Sequence, residues 1–323
     1  MPSSRSQIIN LLEQGAIPPD KIDDALAAAQ ITPDASAWKT FIDHLLLWLG
    51  GLALAAAAVF FIAYNWTEMG RMGKFGLVEV LIVLAVAAYW KLGDNTVAGK
   101  VALLVATIFL GVLLALFGQT YQTGADPWQL FFNWALLMLP WAIVGRFPAI
   151  WIVWIVLINL SIVLYHQAFR GVFWMMIGTE NRMLWLTFDF NALALAAWEW
   201  LSKPWPWLAE RWAVRLLAVG SGVPLTWLVI FGIVDLEHGL ALAGSAWGLW
   251  LAVMLFVYKK KRPDLFMLAG CCLSGIVVLV TFLGRQLLEN GEAGGFLILA
   301  LAVIGVGAGA AVWLRNVHRE WQS

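Results

Sequence analysis

The sequence carries little charge for its length. Only 12% of its 323 residues are Asp, Glu, Lys or Arg, whereas 62% are hydrophobic. A water-soluble domain has about 25% charged residues, so this chain cannot cover a water-exposed surface of its size. Twenty basic residues balance twenty acidic ones, and this balance provides no net field that would favour a nucleic acid partner. The composition excludes a soluble globular protein and predicts an all-α, polytopic helical membrane protein.

Cysteine and catalytic motifs are also scarce. The two cysteines, Cys271 and Cys272, are adjacent within an apolar run, which suits neither a disulfide framework nor a metal site. The sequence contains no G-x-S-x-G, H-E-x-x-H or Walker-type motif. It therefore indicates no catalytic residue, no cofactor and no metal ligand, and a membrane-embedded enzyme is the third-ranked interpretation.

Long apolar runs are abundant, and each can be measured against the membrane. A hydrocarbon core of about 30 Å needs about 20 mostly apolar helical residues, because every backbone polar group must be paired within the segment. This rule predicts ten spans. They lie near residues 42–64, 74–91, 98–118, 128–145, 148–166, 183–202, 212–233, 239–258, 264–284 and 294–315. The sixth span is the most polar, since Asp189, Asn191 and Glu199 interrupt it.

The distribution of basic residues predicts the orientation. With ten spans and a cytoplasmic N-terminus, fifteen of the twenty Lys and Arg residues fall on the cytoplasmic side, as the positive-inside rule requires. The five on the outer side are Arg71, Lys74, Arg170, Arg182 and Arg285. Without the sixth span only seven would be inside. The bias therefore favours ten spans, both termini in the cytoplasm and a bacterial inner-membrane location.

The first forty residues are polar and predict a small helical cap on the cytoplasmic side. Gly15 stands at a helix-ending position, and residues 22–29 carry an apolar stripe at helical spacing. Forty residues are too few for an independent core. The predicted organisation is a cap over residues 1–40, a membrane region over 41–166 with spans one to five, and a second membrane region over 167–323 with spans six to ten.

Three segments carry a family resemblance. They read LLEQGAIPPDKIDDAL near the N-terminus, FFIAYNWTEMGRMGKFG after the first span, and ALFGQTYQTGADPWQLFFNWALLMLPWA between the third and fourth spans. Over about residues 8–150 the chain resembles the bacterial predicted membrane proteins known as domain of unknown function 2157. The resemblance implies a bacterial inner-membrane protein and assigns no catalytic residue.

Polar side chains concentrate in the predicted outer half of the molecule. Buried or lipid-facing polar groups are costly, so they face a cavity, a partner or the bundle interior. The candidate substrate-binding residues are Glu79, Gln119, Tyr121, Gln122, Asp126, Asn133 and Asp189. They predict an outward-facing vestibule for a small solute, a cation or a lipid headgroup. The alternative is that Glu79 pairs with a neighbouring basic residue and that the amides join helices.

The seventh span contains Gly220, Gly222 and Pro224 near its middle. Proline removes a backbone donor and glycine weakens a helix, so these residues predict a helix break of the kind that exposes backbone dipoles in transporters. A kinked, well-packed helix is the alternative.

Two functional hypotheses follow. The first is a transporter or channel-like protein that uses the outer vestibule. The second is a non-catalytic membrane scaffold or regulator, with the cap and the GQTYQTGADPW turn as contact surfaces. The expected partners are the lipid bilayer, a small solute or lipid headgroup, and a membrane or cytoplasmic protein bound through the cap. Nucleic acid is not an expected partner.

Overall fold

The structure is a computed structural model, and it describes residues 8, 11–12, 14–28, 35–65, 67–169, 181–235, 240–288 and 293–322. Within these ranges the chain is helical and contains no strand. The helices are α1 (Ile22–Ala28), α2 (Ala35–Tyr64), α3 (Arg71–Leu92), α4 (Val97–Tyr121), α5 (Pro127–Gly145), α6 (Pro148–Ala168), α7 (Arg182–Leu201), α8 (Arg211–Asp235), α9 (Leu240–Phe256), α10 (Leu265–Leu288) and α11 (Ala293–Glu320). The predicted all-α class is confirmed.

Among the described residues, nine helices are long and apolar enough to cross a membrane, namely α2 to α6 and α8 to α11. They coincide with nine of the ten predicted spans, and the chain is a multi-pass membrane protein. Helix α7 corresponds to the polar sixth span. Its 20 residues would reach about 30 Å at 1.5 Å per residue, but α7 is not one of the nine apolar helices. Membrane crossing by α7, and with it the orientation, stays a prediction.

The N-terminal cap lies partly outside the described residues. Gly15 has a φ of 70°, and the amides of Gly15 and Ala16 donate to the carbonyls of Leu12 and Leu11 at 3.0 and 2.9 Å. This left-handed glycine ends a helical turn as predicted. Thr32 followed by Pro33 predicts a further helix start from the sequence, and both residues lie outside the described ranges.

The chain divides into two compact units, one formed by residues 1–120 and 322–323 and the other by residues 121–321. This division differs from the sequence-based boundary at residues 166/167, which stays a prediction. In the first unit, α2, α3 and α4 share an apolar core. The core residues are Ala55, Ile62, Val78, Phe109 and Leu116. Gly51 permits close approach here, because a Cβ built on it would lie 2.3 Å from Cγ1 of Val101.

In the second unit, α8 packs against α7, α9 and α10, α5 pairs with α6, and α10 pairs with α11. The turn between α5 and α6 is as short as predicted. Arg146 has a φ of 48°, and Pro148 opens α6, where its missing N–H costs nothing. A buried core that includes Leu217, Tyr258 and Leu268 joins the helices around α8.

Helix α8 runs from Arg211 to Asp235 without interruption, which is compatible with the packed-helix alternative. The helix break at Gly220, Gly222 and Pro224 stays a prediction. The two glycines make room for neighbouring helices. A Cβ on Gly220 would lie 2.9 Å from Oδ1 of Asn191, and one on Gly222 would lie 2.8 Å from Cη2 of Trp250. Both glycines therefore lie at close contacts between α8 and its neighbours.

Candidate functional site

The seven predicted vestibule residues all have exposed side chains. They are Glu79 on α3, Gln119 and Tyr121 on α4, Gln122 and Asp126 in the following link, Asn133 on α5 and Asp189 on α7. Glu79 and Gln119 belong to the first unit and the other five to the second. Exposure is compatible with contact to a solute, to water or to lipid, and their joint role stays a prediction.

The link between α4 and α5 is a structured turn. Gln122 and Gly124 both have left-handed backbones, with φ of 44° and 64°. Asp126 has an extended backbone at the N-cap of α5 and is followed by Pro127 at the first helical position. The Asp126 carbonyl accepts a hydrogen bond from the amide of Gln129 at 3.0 Å. Non-glycine residues seldom adopt positive φ, so the Gln122 side chain is presented by a defined backbone.

Two pockets are formed by described residues. One of about 390 Å³ lies between α8, α9 and α10, and one of about 680 Å³ lies between α2, α3 and α4. Both have mostly apolar walls, and none of the seven vestibule residues lines either. Across the described ranges, no group of three or more His, Cys, Asp or Glu could hold a metal ion.

The most elaborate polar arrangement lies at the end of the second unit where α7 ends and α8 and α10 begin. We call it the ion cluster. It consists of Glu199, Arg211, Arg215, Tyr258, Arg262 and Asp264. Glu199 comes from the last turn of α7, the first two arginines come from the first turns of α8, and the remaining three surround the turn between α9 and α10. The ends of α7 and α8 therefore meet the turn before α10 through charged side chains.

Asp264 is the buried centre of one half of the cluster, with only 2% of its side chain exposed. Oδ2 accepts from Nε and Nη2 of Arg211 at 3.1 and 3.0 Å. Arg215 donates from Nε to Oδ2 at 3.2 Å and from Nη2 to Oδ1 at 3.3 Å. Oδ1 also accepts from the amide of Phe266 at 3.1 Å and so caps α10. These partners compensate the desolvation of the carboxylate.

Glu199 is the centre of the other half. Its Oε1 accepts from Nη1 of Arg211 at 3.1 Å and from the hydroxyl of Tyr258 at 2.8 Å. Arg262 pairs with its Oε2 and also donates to Oγ of Ser202 and to the Glu199 carbonyl, each at 2.9 Å. With three arginines and two carboxylates, the cluster retains one positive charge.

Two uncharged polar contacts join helices farther along the second unit. Asn159 of α6 and Asn191 of α7 exchange hydrogen bonds at 2.6 and 3.2 Å. On the other side, Oγ of Ser274 contacts Oγ1 of Thr226 at 2.7 Å and accepts from Nε1 of Trp247 at 2.8 Å. These contacts connect α6 to α7 and α8 to α9 and α10, so interior polar atoms serve helix pairing.

In the sequence, these side chains indicated only a polar interruption of an apolar span or the cytoplasmic end of a span. Glu199 and Asn191 were polar residues in a weak span, and the arginines were basic residues at cytoplasmic ends. A usable signal was present, because the predicted topology already places Glu199, Arg211 and Arg262 at the same end of neighbouring spans. Opposite charges at one level of a helical bundle predict ion pairs.

The comparisons with known proteins bear on the N-terminal part. Residues 10–151 match the family model described as "Predicted membrane protein (DUF2157)". No curated protein and no solved structure matches the chain. The resemblance inferred from the sequence is therefore confirmed, and residues 10–151 of this multi-pass chain are a DUF2157 region.

Proposed function

We propose that this chain is a non-catalytic membrane scaffold or regulator of a partner protein. The observation that supports the proposal most is the ion cluster. It uses Glu199, Asp264 and three arginines to hold the ends of α7, α8 and α10 together. Charged groups that form helix-to-helix contacts favour a rigid helical bundle.

The cost of separating these helices supports the same proposal. Removing one partner of a buried, hydrogen-bonded ion pair typically costs about 3–5 kcal/mol, because the other charge is left uncompensated. Movement of α8 away from α10 would remove both arginines from Asp264 and leave its charge uncompensated. Helices held together by such ion pairs are better suited to presenting an unchanging contact surface than to the alternating access of a transporter.

The proposed location is the bacterial inner membrane, with both termini in the cytoplasm. The excess of basic residues in the predicted cytoplasmic segments supports it. In this orientation the N-terminal cap and the ion cluster would both lie on the cytoplasmic side. The cap would then be one contact surface for the partner, and the turn over residues 118–128 would be another on the outer side.

A transporter or channel-like protein is the second candidate. It is favoured by the seven exposed polar side chains and by the left-handed backbone at Gln122 and Gly124. In this function Glu79, Gln119, Gln122, Asp126 and Asp189 would line an outer vestibule for a small solute or cation.

Complementation of a deletion strain separates the two candidates. The strain is first screened for solute and envelope-stress phenotypes, and the variants Asp189→Asn and Gln119→Ala are then tested at matched membrane levels. A scaffold predicts full complementation by both variants. A vestibule predicts that variants that remain folded lose complementation and show altered solute flux in proteoliposomes.

In-cell photo-crosslinking tests the scaffold directly. A photoreactive amino acid is placed at Leu11 in the cap or at Tyr121 in the outer turn, both of which are exposed. The matched control is Leu249, an exposed residue of α9 that the predicted topology places in lipid. The proposal expects a discrete protein adduct from the cap or the turn but not from Leu249. Lipid-only adducts at all three positions would contradict it.

A further inference from the structure

The pocket between α8, α9 and α10 has the shape of a groove. Its walls include Ala218, Gly222, Thr226 and Ile230 of α8 and Phe266 and Leu273 of α10. We call it the α8–α10 groove. Residues 218–230 of α8 and 266–277 of α10 border it, which at 1.5 Å per residue corresponds to about 18 and 16 Å. Its volume of about 390 Å³ is within the range of small-molecule sites.

The groove exists because small residues leave space between large ones. Gly222 faces the ring of Trp250 from α9, and Gly270 of α10 has no atom within 4 Å of the position its Cβ would occupy. The rim residues Val219, Trp227 and Leu273 are about half exposed or more. In a spanning helix such exposed apolar side chains face lipid, so the groove is open to the bilayer.

One end of the groove is positively charged. Arg215 precedes Ala218 and Val219 by one helical turn and so lies on their face, and its guanidinium lies 5.4 Å from the centre of the Phe266 ring. Its side chain is 43% exposed. Nε and Nη2 contact Asp264, so Nη1 is not used by that carboxylate. Arg215 can therefore donate to a second anion.

The surroundings add to this charge. The ion cluster has one more arginine than carboxylates, and Lys260 and Lys261 precede Arg262 in the sequence, whereas Lys259 pairs with Glu320 at 3.5 Å. Helix α9 connects α8 to α10, so α8 and α10 run in the same direction and both begin at this end. Helix N-termini carry partial positive charge. An apolar groove that ends at a basic, partly exposed group is complementary to an anionic amphiphile.

We propose that the α8–α10 groove binds an anionic phospholipid, with one acyl chain along Gly222 and Gly270 and the phosphate on Arg215. The groove walls are too apolar for a polar solute, and a neutral lipid would leave the charge at Arg215 unused. The inference goes beyond the proposed function, because it applies equally to a scaffold and to a transporter.

The test measures the thermal unfolding of the purified, delipidated full chain in a neutral detergent. Phosphatidylglycerol is compared with phosphatidylcholine of the same acyl chains and with inorganic phosphate alone. We expect phosphatidylglycerol to raise the Tm in a saturable manner and phosphatidylcholine to do so only at higher concentration. Inorganic phosphate should have no effect. Equal responses to the two lipids, or a full response to inorganic phosphate, would overturn the proposal.

Variants locate the site. Gly270→Leu fills the groove, whereas Gly275→Leu makes the same change five residues along α10, outside the groove wall and with equal space for a Cβ. We expect Gly270→Leu to abolish the lipid-induced rise in Tm and Gly275→Leu to retain it. Retention of the full rise in Gly270→Leu would place the lipid elsewhere and overturn the proposal.

Arg215→Gln tests the phosphate contact. A basic residue near an anionic lipid surface contributes about 1 kcal/mol, so phosphatidylglycerol should bind about fivefold more weakly and the preference over phosphatidylcholine should fall. Arg215→Lys keeps the charge and should retain most of the preference. An unchanged preference in Arg215→Gln would contradict the proposed headgroup contact. If Arg215→Gln does not fold, the comparison of Gly270→Leu with Gly275→Leu still tests whether the lipid binds in the groove.

Discussion

Different kinds of contact join the helices within each of the two units of this membrane protein. In the first unit, α2 to α4 meet through an apolar core around Val78 and Phe109. In the second unit, an apolar core is combined with an ion cluster and with paired polar side chains. Lipid competes well with apolar helix contacts, because its tails are as apolar as the side chains. Polar contacts therefore give the second unit its specific helix pairing.

The greatest loss of stability should come from breaking the ion cluster at its buried centre. Asp264→Asn removes the negative charge that two arginines share, and we expect the free energy of unfolding to fall by about 3 kcal/mol. This is the lower end of the range for buried pairs, because both arginines are partly exposed. Unfolding in mixed micelles measures it. Asp126→Asn is the control, since that carboxylate is exposed, and equal stability of the two variants would contradict a stabilising role for the cluster.

A second prediction concerns one glycine in each unit at which two helices approach each other closely. Gly220→Leu would collide with Asn191 in the second unit and Gly51→Leu with Val101 in the first. Overpacking typically costs about 1–3 kcal/mol. The reference is Gly270→Leu, which gains the same helix propensity without a clash. Hydrogen exchange should show the loosening confined to the unit that carries the substitution. Loosening of both units by either variant would show that they are not separate.

A third prediction concerns the amide pair between α6 and α7. A double-mutant cycle of Asn159→Val and Asn191→Val should give a coupling free energy of about 0.6–1.7 kcal/mol, between the mean and the maximum measured for hydrogen bonds between membrane helices. The two side chains contact each other directly, so their effects should not be additive. Additive effects would mean that the pair does not join the helices.

The least change in stability is expected at the predicted vestibule. Asp189→Asn and Gln119→Ala change exposed side chains, so the free energy of unfolding should change by less than about 0.5 kcal/mol. Thermal unfolding of the purified variants checks this. A loss of several kcal/mol in either variant would show that the residue is needed for packing and would remove the vestibule interpretation at that position.

The parts of the fold that sequence could predict are those encoded by continuous runs. Helices α2 to α6 and α8 to α11 coincide with predicted spans, because a long apolar run has few alternatives to a membrane helix. The turn before Pro148 was equally readable, since Arg146, Phe147 and Pro148 interrupt two such runs. The family resemblance rested on polar segments at span ends, and the family match over residues 10–151 confirms it.

The features that sequence could not predict depend on which helices become neighbours. Arg262 pairs with Glu199 although the two are 63 residues apart in the sequence. No local periodicity in the sequence predicts that pairing. The choice between a broken and a packed helix at Gly220 and Gly222 stayed open for the same reason. Gly220 and Gly222 are weak helix formers in isolation, but Asn191 and Trp250 occupy the space that they leave.

A double-mutant cycle between Glu199 and Arg262 decides whether polar side chains hold the helices of the second unit together. It is measured as the unfolding free energy of the full chain in lipid bicelles. If they do, Glu199→Gln and Arg262→Gln should be coupled by more than about 0.5 kcal/mol. Coupling indistinguishable from zero, with both variants as stable as the parent chain, would show that apolar packing alone joins these helices.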